Sequence, residues 1–449
     1  MNIDPIIMLT DSFYSKIETL CPEKANELIL AKLKELVYCA VVGSPFYKER
    51  ISDLEIQNFK DFELIPILKK EDLIANTPPK SELILTQYLS DASVYKSGGT
   101  TGNPKFTIYS NKEFEDFSDI FARTYFSAGL RKTDRVANLF FSGDLYASFI
   151  FVHKLIQVLG CLNFPIAGST PIRQVTEYIK KFGINVVLGP TSYILNLVKL
   201  VAEDVKITGV TTLNKILYAG EPLYPSDENY IKNVLGSHTL VHSCGYGCTD
   251  LGLIAYQCLS QTGSIHHILF DHVYIEIVDP VTKEVVEDGQ IGNIIVTNLD
   301  KKLMPFIRFD IGDMGRKLKE SCPCGRTGQL IELLGRSDDI IRVGYTNICY
   351  QDILHALSSQ KPFTTNMQLI KERHQTITKL ILKIEADKEP IYTNNLENIV
   401  YYKLYSLYPN LRTEKEKGVI DINVHVLSLG QIEKLPRTGK LKRIIDKSN

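Results

Sequence analysis

Short apolar runs alternate with longer amphipathic stretches between Val94 and Ala219, and this alternation restricts the fold more than any other feature of the sequence. The runs at 136–141 and 185–188 have the length and composition of strands. The stretch from Tyr146 to Leu159 lies between them and has the apolar spacing of a helix. Such alternation is typical of α/β proteins with a largely parallel sheet, so the sequence predicts this fold class.

The segments on either side of this region have other patterns. Residues 1–90 predict helices and loops, with a helix over 24–40 that Gly43-Ser44-Pro45 brings to an end. Two later runs, 273–278 and 292–296, alternate with period two, which predicts an antiparallel sheet or a small barrel. The sequence after Asp339 combines helix and strand signals in a compact stretch.

These patterns predict two domains, because a chain of 449 residues is too long for one ordinary core. The first, residues 1–337, is a large N-terminal domain of α/β subdomains with a strand-rich subdomain. The second, residues 338–449, is a small mobile α+β C-terminal domain.

The composition is that of a soluble globular protein, with 44% hydrophobic and 23% charged residues. The 51 basic and 52 acidic residues nearly cancel, so the overall charge gives no reason to expect nucleic acid or an anionic membrane as a partner. No apolar run reaches the length of a membrane span. Nine cysteines without a signal peptide predict reduced thiols and a cytoplasmic location.

The sharpest local motif is Ser97-Gly98-Gly99-Thr100-Thr101-Gly102-Asn103-Pro104-Lys105, which follows a predicted strand at 93–95. Its glycines allow the backbone to approach a ligand closely, and its hydroxyls and lysine suit the oxygens of a polyphosphate. Asn103 stands where a Walker loop needs its second glycine, so the motif is not of that type. A surface turn without function is the alternative interpretation.

Five further segments follow in the order found in one known superfamily. They are Tyr218-Ala219-Gly220-Glu221-Pro222-Leu223, Gly245-Tyr246-Gly247-Cys248-Thr249-Asp250, residues 305–313, Gly335-Arg336-Ser337-Asp338-Asp339 and Pro436-Arg437-Thr438-Gly439-Lys440. With the glycine-rich loop they resemble the motifs of the adenylate-forming superfamily, which includes acyl-CoA synthetases, peptide-synthetase adenylation domains and luciferases. Residues 44–47 and 64–70 resemble its branch of phenylacetate-CoA ligase and coenzyme F390 synthetase.

The resemblance implies an enzyme that uses ATP to convert a small carboxylic acid, aromatic or arylacetic in this branch, into its acyl-AMP with release of pyrophosphate. The acyl group then passes to a thiol, with CoA as the expected acceptor. One alternative is transfer to a carrier-protein thiol, a protein cysteine or an amine. Another is a nucleotide-binding protein without ligase activity. The identity of the acid and the oligomeric state, a dimer included, stay open on the sequence.

The resemblance also implies roles for individual residues. Thr100, Thr101 and Lys105 are expected to hold the phosphates of ATP, and Asp313 to accept hydrogen bonds from the ribose hydroxyls. Lys440 is expected to stabilise the transition state of adenylation, with a solvated lysine in a basic tail as the alternative. The other implied positions are the nucleotide-binding residues Ser97, Gly98, Gly99, Gly102, Gly220, Glu221, Pro222, Tyr246, Gly247 and Arg336, and the hinge residue Asp338.

Thr249 and Asp250 end the aromatic-Gly-x-Thr motif and are expected to be catalytic. The family usually has glutamate after the threonine, where it helps to hold magnesium, and Asp250 is one methylene shorter. Magnesium commonly keeps several waters, so a water could bridge the ion to Asp250. A different second substrate or weakened activity is the alternative meaning of this departure.

A structural zinc site is also predicted. Its expected ligands are Cys258, His267, Cys322 and Cys324, which are of the types that zinc prefers. The phenylacetate-CoA ligase branch resembles this chain in having a cysteine, then a Gly-x-His-Ile segment and later Cys-Pro-Cys-Gly-Arg. We favour His267 over His266 because Ile268 and Asp271-His272 continue that pattern. Ordinary buried thiols are the alternative, since Cys-x-Cys is a tighter spacing than zinc sites usually have.

Four other residues carry weaker signals. Asp144 and Tyr146 lie where family members place acid-pocket residues, with a plain loop as the alternative. His153 is among apolar helix residues, which favours a satisfied core histidine over an acid or base. Arg326, like Arg336, flanks the inferred nucleotide site, and pairing with acidic neighbours is the alternative role for both.

Overall fold

A computed structural model describes residues 16–51, 54–97, 105–208, 211–220, 222–336, 339–343, 346–358, 362–374, 377–387, 393–418, 420–432 and 441–447. The chain divides into two compact units. The first contains residues 1–223, 227–311 and 315–333, and the second contains residues 224–226, 312–314 and 334–449. Within the described ranges, no helix combines the length and the apolar character that crossing a membrane requires.

The first described elements are helical. They are a 3-10 helix (Lys16–Thr19), α1 (Pro22–Gly43), α2 (Pro45–Ile51), α3 (Phe59–Glu63) and α4 (Lys70–Asn76). In α1 the buried residues, including Ile29, Leu33 and Leu36, recur at three- and four-residue spacing, which confirms the helix predicted over 24–40. A new helix begins at Pro45, because the proline ring cannot continue the preceding ladder of hydrogen bonds.

An antiparallel hairpin follows, made of β1 (Ala92–Ser97) and β2 (Lys105–Ser110). Ser97 pairs with Lys105, so the glycine-rich motif connects the two strands. Helix α5 (Asn111–Ser127) begins directly after β2. Its start is fixed by a capping box, in which the Ser110 hydroxyl accepts the Glu113 N–H and the Glu113 carboxylate accepts the Ser110 N–H.

The next element is a five-stranded parallel sheet with the strand order β4-β3-β5-β6-β7. Its strands are β3 (Arg135–Asn138), β4 (Leu162–Phe164), β5 (Val186–Pro190), β6 (Lys215–Ala219) and β7 (Leu240–Ser243). The helices between them are α6 (Ser148–Val158), α7 (Ile172–Phe182), α8 (Thr191–Thr208) and α9 (Pro225–Leu235). The predicted α/β class with a parallel sheet is confirmed.

Strand β3 is shorter than the apolar run at 136–141 that predicted it. The strand ends at Asn138, whose side-chain oxygen accepts the main-chain N–H of Phe140 over 3.2 Å. This local hydrogen bond takes the Phe140 N–H out of the ladder, so the regular strand ends although the next residues are apolar and Leu139 N–H still donates to the Leu188 carbonyl over 2.8 Å.

The next sheet has seven strands in the order β11-β12-β13-β14-β10-β9-β8, and most of it belongs to the first unit; residues 312–314 and 334–336 belong to the second. Its strands are β8 (Tyr246–Cys248), β9 (Gly252–Tyr256), β10 (Ile265–Ile268), β11 (Val273–Val278), β12 (Gly292–Asn298), β13 (Phe309–Lys317) and β14 (Leu330–Arg336). Strands β11 and β12 pair in antiparallel fashion, as their period-two alternation predicted. Ile275, Ile277 and Ile294 share one core with the apolar faces of α1 to α4, so these helices cover one side of the sheet.

The second unit has an α+β architecture. The hairpin β15 (Ile340–Val343) and β16 (Thr346–Cys349) precedes a four-stranded mixed sheet of order β19-β18-β17-β20. Its strands are β17 (Phe363–His374), β18 (Ile377–Ala386), β19 (Ile420–Ser428) and β20 (Ile444–Lys447), and its helices are α10 (Tyr350–Ser358), α11 (Thr393–Leu407) and α12 (Pro409–Glu416). Ile353, Leu369, Leu382 and Leu404 are buried in its separate core.

Candidate functional site

Three of the segments singled out in the sequence follow strands of the parallel sheet directly. Residues 139–146 follow β3, Gly220 follows β6 and residues 244–250 follow β7. These segments share one edge, because the carboxyl ends of parallel strands lie together. Ligands of open α/β sheets bind at this edge, where the strand order reverses. The order here reverses between β3 and β5.

Several predicted site residues lie outside the described part of the chain. They are Gly98, Gly99, Thr100, Thr101, Gly102, Glu221, Asp338 and Lys440. Their roles remain predictions from the sequence. Ser97 and Lys105 flank the glycine-rich loop and are described, and the Ser97 hydroxyl donates to the Lys105 carbonyl over 3.3 Å.

Lys105 and Asp250 form a charged pair between two of the sequence motifs. Lys105 Nζ lies 2.6 Å from Asp250 Oδ2, and the two side chains are 12% and 3% exposed. Lys105 Nζ also lies 4.8 Å from the ring centroid of Phe309. Charges this deeply buried are tolerated when each has an opposite partner. The lysine that ends the glycine-rich loop and the acid that ends the aromatic-Gly-x-Thr motif therefore make one centre.

The second carboxylate oxygen of Asp250 is left for another ligand. Asp250 Oδ1 is buried and has no hydrogen-bond partner among the described residues. A buried polar atom without a partner is costly and calls for an explanation, such as an ion or a water. Magnesium takes carboxylate oxygens and keeps several waters, so the donor chemistry of Asp250 fits this ion.

Lys301 belongs to the same centre, although no sequence pattern points to it. Its side chain is fully buried, and Nζ donates to the Asp250 carbonyl over 2.9 Å and to the Thr107 hydroxyl. Burial lowers the pKa of Lys301 to about 7, because the charged form loses its hydration. In the sequence it stands between Asp300 and Lys302, a charged run of the kind that is usually solvated.

The remaining nucleotide-binding candidates of the first unit lie at the ends of β6 and β7. Gly220 is exposed and has a φ of +80°, a conformation that glycine adopts without strain. Pro222 is also exposed. Tyr246 and Gly247 lie on β8, and a Cβ at Gly247 would come within 2.3 Å of the Gly252 carbonyl oxygen. Only glycine fits this position.

Asp313 and Arg336 are paired in the second unit. Arg336 Nη1 lies 3.2 Å from Asp313 Oδ1, and the two side chains are 48% and 19% exposed. The carboxylate expected to accept hydrogen bonds from ribose is therefore half-buried and already faces a guanidinium. Arg336 thus has the acidic partner that the sequence offered as its alternative role.

The loop after β3 has an unusual backbone. Gly143, Asp144 and Leu145 have φ values of 86°, 48° and 61°, and such values strain residues other than glycine. Lys96 holds the loop: its N–H donates to the Leu145 carbonyl over 2.9 Å, and its Nζ lies 2.5 Å from Asp144 Oδ2. Lys96 Nζ is also 5.6 Å from the Tyr146 ring centroid. Both acid-pocket candidates thus lie beside the strand that enters the glycine-rich loop.

Cys258, His267, Cys322 and Cys324 converge in the first unit, with their ligand atoms all within 4.8 Å of one another. Cys258 Sγ lies 3.6 Å from Cys322 Sγ, and Cys324 Sγ lies 3.5 Å from His267 Nε2. In a tetrahedral zinc site, bonds of about 2.3 Å to sulfur and 2.0–2.1 Å to nitrogen give edges of about 3.8 and 3.5 Å. The observed distances fit such a site.

Hydrogen bonds within the cluster favour thiolates. Donation from Cys258 lowers the pKa values of Cys322 and Cys324 and raises that of Cys258. Gln261 Nε2 also donates to Cys322 Sγ over 3.0 Å, as an outer-shell residue of a metal site does. Among the described residues, His267 Nδ1 has no partner, which departs from the usual hydrogen bond of a zinc-ligating histidine. His266 points elsewhere, with its Nε2 3.1 Å from the Ser243 hydroxyl.

Two of the weaker candidates have structural partners. Arg326 is buried, and its guanidinium donates to the Glu18 carboxylate over 3.0 Å and to the Ser127 hydroxyl over 2.7 Å. His153 is half-buried and lies 2.9 Å from the Asn163 amide through Nδ1. Arg326 therefore has the acidic partner that the sequence offered as its alternative role, and His153 has a hydrogen-bond partner, as its favoured interpretation expected, but is only half-buried.

The chain is similar to known proteins over most of its length. Residues 80–299 match a sequence family described as AMP-binding enzyme. A phenylacetate-coenzyme A ligase of Thermus thermophilus is 27% identical, with 97% of this chain and 99% of that protein covered. A phenylacetate-coenzyme A ligase of Escherichia coli is 23% identical, with 98% and 99% covered.

Solved structures have the same fold. A crystal structure of 2-hydroxyisobutyryl-CoA ligase, in the postadenylation state with 2-HIB-AMP, matches with a TM-score of 0.77 and 20% identity. The match covers 97% of this chain and 93% of that one. ATP-bound MatB from Rhodopseudomonas palustris matches with a TM-score of 0.58 and 15% identity, over 78% of this chain and 67% of that one.

Proposed function

This chain belongs to the adenylate-forming superfamily, in its phenylacetate-CoA ligase-like branch, and we propose that it joins a small carboxylic acid to a thiol in two steps. In the first step the carboxylate attacks the α-phosphate of ATP, forming acyl-AMP and releasing pyrophosphate. In the second step a thiolate attacks the acyl carbon, and AMP leaves with its electron pair. The acyl carbon changes partner in this step and no atom is oxidised.

The pair of Lys105 and Asp250 is the observation that carries this proposal. The Lys105 amine lies at the end of the glycine-rich loop, 2.6 Å from one oxygen of the Asp250 carboxylate. The other oxygen of this carboxylate is buried and has no hydrogen-bond partner among the described residues. The first step brings a carboxylate toward a polyphosphate, so like charges must be neutralised. Lys105 would hold phosphate oxygens, together with Thr100 and Thr101. Magnesium held by Asp250 would neutralise charge on the departing pyrophosphate.

Three residues of the second unit have proposed roles of their own in adenylation. Asp313 would accept hydrogen bonds from the ribose hydroxyls, since both oxygens of a carboxylate are acceptors. Arg336, 3.2 Å from Asp313, would orient that carboxylate. Lys440 would stabilise charge in the in-line transition state of the first step only.

An aromatic or arylacetic acid is the proposed substrate, and CoA the proposed acceptor. The named activity of the relatives in Thermus thermophilus and Escherichia coli supports both choices. A second candidate keeps adenylation but transfers the acyl group to a carrier-protein thiol, a protein cysteine or an amine. The third candidate is a nucleotide-binding protein without ligase activity. The feature that favours it is Asp250, which stands in place of the glutamate that is usual in the family.

An acid panel tests the reaction. The purified protein is incubated with ATP, magnesium and aromatic, arylacetic or short aliphatic acids, and pyrophosphate release is measured. We expect release with an aromatic or arylacetic acid, none after chelation of magnesium, and a thioester when CoA is added. Release without a CoA thioester would favour the second candidate. ATP binding without release for any acid would favour the third.

We also propose that the four-residue cluster of Cys258, His267, Cys322 and Cys324 holds a structural zinc ion. The distances within the cluster and the lowered pKa values of Cys322 and Cys324 support this role. The ion would join β10 and the turn after β9 to the connection between β13 and β14, and thereby stabilise the sheet that carries the Asp313 strand.

A further inference from the structure

The main chain at Asp250 is held by an unusual set of contacts. The three consecutive carbonyls of residues 249–251 each accept a hydrogen bond from a fully buried side chain. The donors, in order, are Tyr109 Oη at 2.7 Å, Lys301 Nζ at 2.9 Å and Asn298 Nδ2 at 2.7 Å. Each carbonyl of this segment has a buried side-chain donor, so its backbone has little freedom to shift.

Two of the three donors also tie this segment to strand β2. Tyr109 lies on β2, and Lys301 donates to the hydroxyl of Thr107 on the same strand. Side chains alternate along a strand, so Lys105, Thr107 and Tyr109 point to one face of β2. Lys301 therefore bridges the strand that carries Lys105 and the segment that carries Asp250.

A lysine at position 301 costs more free energy to bury than an apolar residue, so a merely structural contact does not explain it. Its ammonium is buried, and no described carboxylate forms a salt bridge with it; its near neighbours are the ring centroids of Tyr109 at 3.8 Å and Phe306 at 4.6 Å. Burying a cation is costly, and an apolar side chain would fill the same space without that cost. The hydrogen bonds to the Asp250 carbonyl and the Thr107 hydroxyl, which an apolar side chain could not make, account for a lysine here.

We propose that Lys301, supported by Tyr109 and Asn298, is a positioning residue of the adenylation step. It fixes the separation between β2 and residues 249–251, so that the main chain at Lys105 and at Asp250 stays in place while their side chains bind phosphate and magnesium. This inference rests on the proposed function. Thioester formation from acyl-AMP needs neither pyrophosphate nor its magnesium, so it does not depend on this separation.

The test compares the two half-reactions in Lys301→Met, which keeps an unbranched side chain as far as Cε and removes the amine. Adenylation is measured as exchange of pyrophosphate into ATP over a range of magnesium concentrations. The second half-reaction is measured as thioester formation from supplied acyl-AMP. A misplacement of about 1 Å at a reacting group costs about 10²-fold. We expect exchange to fall by about that factor with a higher magnesium requirement, and thioester formation to stay within about threefold.

Lys302→Met is the matched control, because this neighbouring lysine is exposed and pairs with Glu35 away from the centre. It should leave both half-reactions unchanged. Equal losses of both half-reactions in Lys301→Met would mean a general structural role and would overturn the inference, as would unchanged exchange. Exchange that falls as far in Lys302→Met as in Lys301→Met would also overturn the inference, whereas no exchange in the unsubstituted protein would instead overturn the proposed function.

Tyr109→Phe gives a second variant in case Lys301→Met does not fold. It removes one hydroxyl without changing the shape of the ring, and leaves the Thr249 carbonyl without its buried donor. We expect exchange to fall by about tenfold, again with thioester formation preserved. A loss shared equally by both half-reactions, or no loss of exchange, would contradict the positioning role.

Discussion

At the scale of single residues, the ion pair of Lys105 and Asp250 holds two sequence motifs together. The pair is nearly buried, so its attraction is little screened by water, and it brings together residues 145 positions apart. Asp250 is one methylene shorter than the glutamate usual in the family, and its free oxygen is buried. A short carboxylate in this position can still serve magnesium directly or through one water.

The Asp250→Asn substitution tests this role. It keeps the size of the side chain and removes the charge, so we expect pyrophosphate exchange to fall by about 10²- to 10³-fold and the magnesium requirement to rise. Asp250→Glu supplies the longer carboxylate and should keep exchange within about tenfold. Asp288→Asn, at an exposed aspartate that accepts from Gln329, is the control. An unchanged magnesium requirement in Asp250→Asn would show that the ion is held elsewhere.

At the scale of elements, the Cys/His cluster joins segments that are distant in the sequence. Cys258 follows β9, His267 lies on β10, and the other two cysteines lie in the connection between β13 and β14. These segments belong to one sheet, but the connection between β13 and β14 has little regular hydrogen bonding of its own. A metal ion would bind four side chains at once and hold that connection against the sheet.

Cys324→Ser tests the metal. We expect the unsubstituted protein, purified without chelators, to contain about one zinc ion per chain, because its four ligands satisfy a structural site. The variant should lose the metal and melt roughly 5–10 °C lower. Cys21→Ser, at an exposed cysteine outside the cluster, should change neither zinc content nor Tm. Negligible zinc in the unsubstituted protein, with an unaltered Tm in Cys324→Ser, would identify the cysteines as buried thiols.

At the scale of the whole molecule, the two compact units carry different parts of the proposed chemistry. The first holds Lys105 and Asp250, and the second holds Asp313 and Arg336. Within the second unit, Arg443 Nη1 lies 2.8 Å from Asp339 Oδ2. In the sequence, Asp339 directly follows the predicted hinge residue, and Arg443 lies three positions after Lys440. This ion pair, in which Asp339 is buried and Arg443 half-buried, joins the two ends of the C-terminal segment.

Lys440→Ala tests whether the second unit acts in one half-reaction only. Losing one electrostatic contact to the transition state costs about 10²- to 10³-fold, so we expect pyrophosphate exchange to fall by that factor. Thioester formation from supplied acyl-AMP should be preserved. Lys442→Ala, at an exposed lysine two positions away, is the control and should leave both rates unchanged. Equal loss of both half-reactions in Lys440→Ala would reject a role confined to adenylation.

The sequence alone predicts those features that depend on neighbouring residues. Apolar spacing indicated helix α1, the parallel strands β3 and β5 and the antiparallel pair of β11 and β12, because each element repeats its side-chain directions with a fixed period. The motif order indicated the superfamily. The end of β3 was placed three residues too late, since a side-chain hydrogen bond to the Phe140 N–H leaves no trace in an apolar pattern.

Only the tertiary structure decided which distant side chains meet. Lys301 has the sequence context of a surface lysine. It nevertheless contacts Thr107, which is 194 positions away in the sequence, and Asp250, which is 51 positions away. The strand β10 turns His267 and not His266 toward the cysteines, because successive side chains on a strand point to opposite faces. Periodicity is a property of short segments. The burial of a side chain and the identity of its partners depend instead on how those segments pack, and packing is set by contacts across the whole unit.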